Sequence, residues 1–100
     1  MSEKMSLTAK SVSVLELKQL LHALNDRQPY TCIRVRLVGQ LWQQSFMHIA
    51  AVYDDGVLLH SESDGRLLNI GKLSNIMQFE IDHAFQNFMP HNHYDVKVTS

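Results

Sequence analysis

Six histidines stand in this sequence of 100 residues. Two of them, His91 and His93 in the run PHNH, are spaced so that an extended backbone turns both imidazoles to one side. With His83, or with Asp82 in its place, they make a three-ligand set of the zinc type, because zinc takes imidazole nitrogen and carboxylate oxygen. The plainer account is a histidine-bearing tail that meets solvent, since no cysteine pair or second spaced pair completes a metal pattern. Arg34 and Arg36 form a second group. Two residues apart on a strand, they share one face and can reach phosphates, with Trp42 or Tyr30 as a stacking surface for a base. The competing account is internal. Glu80 and Asp82 are the outward residues of a later strand, and opposite charges across neighbouring strands would pair with both arginines.

Three further groups carry reactive atoms. Cys32 shares a face with Arg34, and a cation beside a thiol lowers its pKa. No histidine or acid adjoins it along the chain, so it reads as an inert, partly covered cysteine. His48 lies mid-strand between Phe46 and Ala50, the setting of a core-edge histidine with one hydrogen-bond partner. His60, Ser61 and Asp64 are close in sequence, but successive strand residues face opposite sides. They therefore cannot make the contacts of a Ser-His-Asp triad. No glycine-rich phosphate loop occurs. The expectation is a protein without catalytic residues or a cofactor.

The elements that must position these groups are legible in the pattern. The stretch Gln44–Glu62 reads as two strands around an Asp54-Asp55-Gly56 turn, in which Asp and Gly tolerate positive φ. Both faces of that hairpin carry apolar groups, so cover from two sides is expected. Residues 1–11 are polar and expected to be frayed. A helix over 14–25 follows. Ser13 and Glu16 form a capping box, Val12 and Leu17 a hydrophobic staple, and Val14, Leu17, Leu20, Leu21 and Leu24 one apolar stripe. Asn25, Asp26 and Pro29 end it. Thr31–Val38 alternates as a half-buried strand, with Ile33, Val35 and Leu37 inward. After a second turn at Ser63-Asp64-Gly65, a short strand is expected at Arg66–Ile70 and a 3₁₀ turn within Gly71–Asn75. Met77–Asp82 then alternates with Met77, Phe79 and Ile81 inward. A short helix within 84–89 and a last strand at Tyr94–Val98 close the chain.

The length predicts a single domain, long enough to bury a core without disulfides or metals. An apolar fraction of 45% and a charged fraction of 19% are those of a globular chain. The formal net charge of −1 argues against a strongly electrostatic partner such as nucleic acid or a membrane surface. One cysteine fits a reducing cytoplasm. No apolar leader or membrane-length run is visible.

A helix followed by five closely spaced strands predicts a mainly β fold, a sandwich or a small barrel. The order resembles SH3-like small barrels and, more closely, the Sm-like family, and that resemblance implies a small, strongly bent antiparallel barrel with an N-terminal helix. The parts that carry the resemblance are the 14–25 helix, the strand ending in Val38-Gly39, VYDDGVLL, and the link NIGKLSN before IMQFEI. It spans about residues 13–82. The resemblance implies ring assembly and RNA binding. The family's Asp-x-x-x-Asn arrangement is met here only at its acid, Asp54 or Asp55, and its late-loop Arg-Gly pair only as Asn69–Gly71. Arg34, Arg36, Trp42, Asp55 and Asn69 are accordingly the candidate nucleic-acid residues, and His83, His91 and His93 the candidate metal ligands.

Two functions follow as expectations. One is a non-enzymatic interaction module that self-associates and binds another macromolecule, a protein above all. The alternative is an Sm-like RNA-binding module, with a metal-dependent enzyme a distant third. Nine basic residues dispersed among ten acidic ones favour the first. The apolar surplus of the strands and the tail, and open strand edges at Arg66–Ile70 and Met77–Asp82, point to a homo-oligomer. The competing expectation is that the tail strand folds back, covers the edge and leaves a monomer.

Overall fold

The computed structural model describes residues 9–27, 32–82 and 93–97. The expected helix within 84–89, together with Tyr30, His83, His91 and Val98, lies outside them. Strand β1 (Ala9–Ser13) leads into helix α1 (Val14–Arg27). Strands β2 (Cys32–Leu37), β3 (Met47–Val52), β4 (Val57–His60) and β5 (Leu67–Ile70) follow. A 3₁₀ turn (Leu73–Asn75), β6 (Ile76–Ile81) and β7 (His93–Lys97) complete the order. Among the described residues, no helix is long and apolar enough to cross a membrane.

Among the described residues every strand belongs to one open sheet of seven, in the order β1-β7-β6-β2-β3-β4-β5. All neighbours are antiparallel except β1 and β7, which run parallel. The N-terminal segment therefore departs from the frayed reading. Ala9–Ser13 is a strand whose partners, His93–Lys97, lie at the other end of the chain. Nothing local in AKSVS announces it, because the hydrogen bonds that hold it are long-range. Val12 of this strand sinks into the core.

Helix α1 begins as its residues dictate. The Ser13 backbone N–H donates to Glu16 Oε1 at 2.8 Å, and the Glu16 N–H donates to Ser13 Oγ at 3.1 Å. Two donors left bare by helix geometry are thus satisfied. Leu17, Leu21 and Leu24 are fully buried, while Val14 and Leu20 pack at the margin. This stripe covers one face of the sheet, where it meets Ile33, Val35, Met47, Leu59, Phe79 and Ile81. The Phe79 and Tyr94 rings stack across β6 and β7, 4.7 Å apart and 4° from parallel. Among the described residues the sheet is covered on this inner face alone, so the expected double cover of the hairpin is not present there.

Two irregularities change the inward sets. The β3–β4 register shifts between Ile49 and Ala51, so Met47 and Ile49 point inward and then Val52, not Ala51 or Tyr53, packs on the core. A second shift between Arg36 and Leu37 sets Leu37 opposite Ile76. Ile76 is then buried, and Met77 stays 38% exposed. A bulge turns the following side chains over, which plain alternation cannot foresee.

The glycines also divide. Gly65 and Gly39 hold φ of +74°, while no residue of the Asp54–Gly56 turn has positive φ. Gly56 is needed for a different reason: a Cβ there would lie 2.3 Å from the Ile70 carbonyl oxygen. The Leu73 N–H also donates to the Asp55 carbonyl at 2.8 Å, so this turn is clamped against the β5 end.

Candidate functional site

The face of the sheet opposite α1 gathers most of the chain's distinctive polar residues. Because side chains alternate along a strand, the residues of β2, β6 and β7 that do not enter the core line up in rows. One row is Arg34–Glu80–His93 and the next is Arg36–Gln78–Asp95. The Arg34 Nη2 donates to Glu80 Oε1 in an ion pair. The other Glu80 oxygen lies 3.2 Å from His93 Nδ1. His93 Nε2 faces Asp95 Oδ1 at 3.5 Å, and Gln78 Nε2 donates to that same oxygen at 2.8 Å. Gln78 Oε1 in turn accepts from Arg36 Nε at 2.7 Å. One network thus runs from Arg34 to Arg36 through two carboxylates, an imidazole and an amide.

Aromatic rings border it. The Arg34 guanidinium carbon lies 5.1 Å from the Trp42 ring centre and 5.4 Å from that of Phe46, within cation–π range of both. Trp42 is held there because the β2–β3 connection folds back on β2. It bridges Arg36, and the Gln43 N–H donates to the Val35 carbonyl at 3.0 Å. The Trp42 ring also meets the His93 ring, centres 5.7 Å apart. Beside them Phe46 is 39% exposed and Leu41 is 88% exposed. Arg34 Nε is buried without a hydrogen-bond partner. Burial by itself would raise the Glu80 pKa. The hydrogen bonds from Arg34 and His93, with the charge of both, outweigh it and hold this carboxyl below its ordinary range.

The expected pairing of arginines with acids is thus half realised. Arg34 has Glu80, but Arg36 takes Gln78. In an antiparallel pair the partners run in opposite directions, so moving from Arg34 to Arg36 moves from Glu80 to Gln78, away from Asp82. Asp82 adjoins Cys32 instead, with its N–H donating to the Cys32 carbonyl at 3.0 Å.

That end of the face holds a second cluster. Cys32 stands opposite His48, and His48 opposite His60. His48 Nε2 lies 3.3 Å from Glu62 Oε1. The Cys32 sulfur is 3.7 Å from both nitrogens of the His48 ring. Equal distances set the sulfur against the ring rather than in line with one nitrogen lone pair, which is not the geometry of proton transfer. Burial raises the thiol pKa, and the carboxylates of Asp82 and Glu62 raise it further. Burial first, and then these acids, govern this thiol, not the arginine two residues away, and both favour its protonated, less reactive form. Linear sequence missed His48 as its neighbour; the β2–β3 register supplies it.

The remaining candidates separate. Asp55 lies in the β3–β4 turn and Asn69 on β5, opposite Leu58. By register both sit at the opposite end of the hairpin from Phe46, which neighbours Arg34, so the five nucleic-acid candidates do not form one surface. Arg34, Arg36 and Trp42 come together; Asp55 and Asn69 do not join them. Ser61 is buried and shares a 3.1 Å hydroxyl contact with Ser63, whereas His60 lies on the outer face, so they face opposite ways as expected. The Arg66 backbone N–H, then the Ser61 hydroxyl, hold Asp64 below the ordinary carboxylate range. Of the metal candidates, His93 is engaged with Glu80 and Asp95, and His83 and His91 lie outside the described residues. Among the described residues no three His, Cys, Asp or Glu side chains are placed to hold a metal ion, and no enclosed pocket forms.

No protein-family model matches this chain, and neither a curated protein nor a solved structure matches it.

Proposed function

We propose that this chain is a non-enzymatic interaction module that associates with itself and binds another macromolecule, a protein rather than a nucleic acid. The observation that carries the reading is the edge at β5, which is unpaired among the described residues. This strand, Leu67–Ile70, ends the open sheet, contains no charged residue or proline, and leaves Leu67 63% exposed. Edge strands of monomers are ordinarily guarded by charge, proline or a covering segment. The outer face suits a protein partner. Arg and Trp are the types that concentrate binding energy at interfaces, and here Arg34 and Trp42 are pre-stacked beside bare Leu41 and Phe46. A single cysteine suits the reducing cytoplasm as its place of work.

The order β6-β2-β3-β4-β5, with a 3₁₀ turn before β6, supports placing this core of the sheet with the small bent barrels of Sm-like type. An RNA-binding role is disfavoured by the arginines. Arg34 Nη2 is committed to the Glu80 carboxylate and Arg36 Nε to Gln78, and the negative charges of Glu80 and Asp95 on the same face repel a phosphate. Light scattering over a dilution series tests self-association: the mass should rise above 11.5 kDa as concentration rises. A single monomer mass at every concentration refutes it. Tight binding of a single-stranded oligonucleotide, weakening steeply with salt, would return the RNA reading.

A further inference from the structure

The edges of the sheet are not equivalent, and their differences select one mode of self-pairing. Of the two edges expected from sequence, Met77–Asp82 is no edge at all. Strand β6 lies between β2 and β7, so a ring built by joining β5 of one copy to β6 of the next is blocked by the chain's own tail strand. Among the described residues the free edges are β1 and β5. Strand β1 carries Lys10, which is exposed, and a lysine on an edge is a recognised guard against strand addition. Strand β5 has no such guard.

The hydrogen-bond phase of β5 follows from one contact. The Ser61 N–H donates to the Arg66 carbonyl at 2.9 Å, so Ser61 and Arg66 are a hydrogen-bonded pair. Such pairs alternate along an antiparallel ladder with pairs that share no bonds. With the β4–β5 register, Leu68 and Ile70 bond to β4, while Leu67 and Asn69 turn their N–H and C=O groups to the open side.

We infer that two copies join antiparallel through β5 about a two-fold axis at Leu68, which rests on the self-association reading above. Leu67 of one copy then exchanges both backbone bonds with the partner's Asn69, and Asn69 with the partner's Leu67. Every outward donor and acceptor of these two residues is satisfied, which is the self-complementarity a two-fold interface requires. Leu68 meets the partner's Leu68 on the inner face, where it already packs against the core. The ladder is short, so the dimer is weak and concentration-dependent.

Disulfide trapping tests the register, in a Cys32→Ser background. Leu68 and its copy form a pair without mutual hydrogen bonds, with Cα atoms about 4.5 Å apart, inside the range of about 4.4–6.8 Å that a disulfide spans. Leu68→Cys should therefore oxidise to a covalent dimer. Leu67→Cys should not, because the two Leu67 positions are offset along the ladder. In the native sequence, Asn69→Pro removes an outward N–H and spares the bonds to β4. It should keep the circular dichroism of the native fold and hold the mass at 11.5 kDa where the native chain is dimeric. A native mass beyond the dimer, a native dimer that survives Asn69→Pro, or trapping at Leu67→Cys instead of Leu68→Cys overturns this inference and leaves self-association standing. A native chain that is monomeric throughout overturns both.

Discussion

Gly56→Ala should destabilise the protein through one close approach. The new Cβ would lie 2.3 Å from the Ile70 carbonyl oxygen and 3.1 Å from the Gly71 carbonyl carbon and oxygen, against an ordinary contact of 3.4 Å or more. The obstacle is backbone, and Val57, the next residue, is paired with Ile70 in the β4–β5 ladder. The clash cannot be relieved by turning a side chain; it must move the strand. Overpacking that shifts backbone costs about 1–3 kcal/mol, and weakening one ladder bond adds about 1 kcal/mol. Restricting the unfolded chain returns about 0.4–1 kcal/mol. The net loss is about 2 kcal/mol. For a domain of this size that lowers Tm by about 8–16 °C. Gly65 is the control, because its φ is +74° and nothing lies within 4 Å of its Cβ position. Asparagine tolerates that conformation, so Gly65→Asn should melt close to the native chain while Gly56→Asn should not. Thermal melts followed by circular dichroism decide the matter. Equal Tm values for Gly56→Ala and the native protein would refute the close-approach argument.

Three other substitutions probe the core and the outer face. Leu21→Asp sets an unpaired charge at a fully buried position and should cost about 3–5 kcal/mol. Leu20→Asp, at the margin of the stripe, should cost clearly less, and urea titration that ranks them the other way would refute the assignment of the buried face. Glu80→Gln should lower stability by about 1 kcal/mol at pH 7. A carboxyl held below its ordinary pKa contributes stability that is fully present above that value and is lost as pH falls through the depressed one. The gap between native and variant should therefore close below about pH 4.3, and a gap that widens on acidification would contradict the Arg34–Glu80–His93 network. Cys32 should alkylate with iodoacetamide several-fold more slowly than free cysteine at the same pH, and His48→Ala should not slow it further. A marked drop on removing His48 would show the imidazole acting as a base after all.

The features legible along the chain are those that live within a few residues of one another. The capping box of Ser13 and Glu16 and the Leu17–Leu21–Leu24 stripe are local, so α1 was legible. The alternation of CIRVRL and the position of the 3₁₀ turn were legible for the same reason. Tertiary structure decided whatever depends on which strands become neighbours. The parallel pairing of Ala9–Ser13 with the far end of the chain leaves no mark in either segment alone. The alternation of the tail strand is readable and its folding back over an edge is one of two open expectations, but only the tertiary structure sets β7 beside β6. The bulges that bury Ile76 in place of Met77 and turn Val52 inward break the period that sequence reading relies on. On the outer face, Arg34 opposite Glu80 was readable because opposite charges announce themselves. Gln78, His93 and Asp95 as members of the same network, and His48 beside Cys32, were not. A cross-strand neighbour is set by register, and register is fixed by the sum of long-range backbone hydrogen bonds and the fit of one buried face against α1.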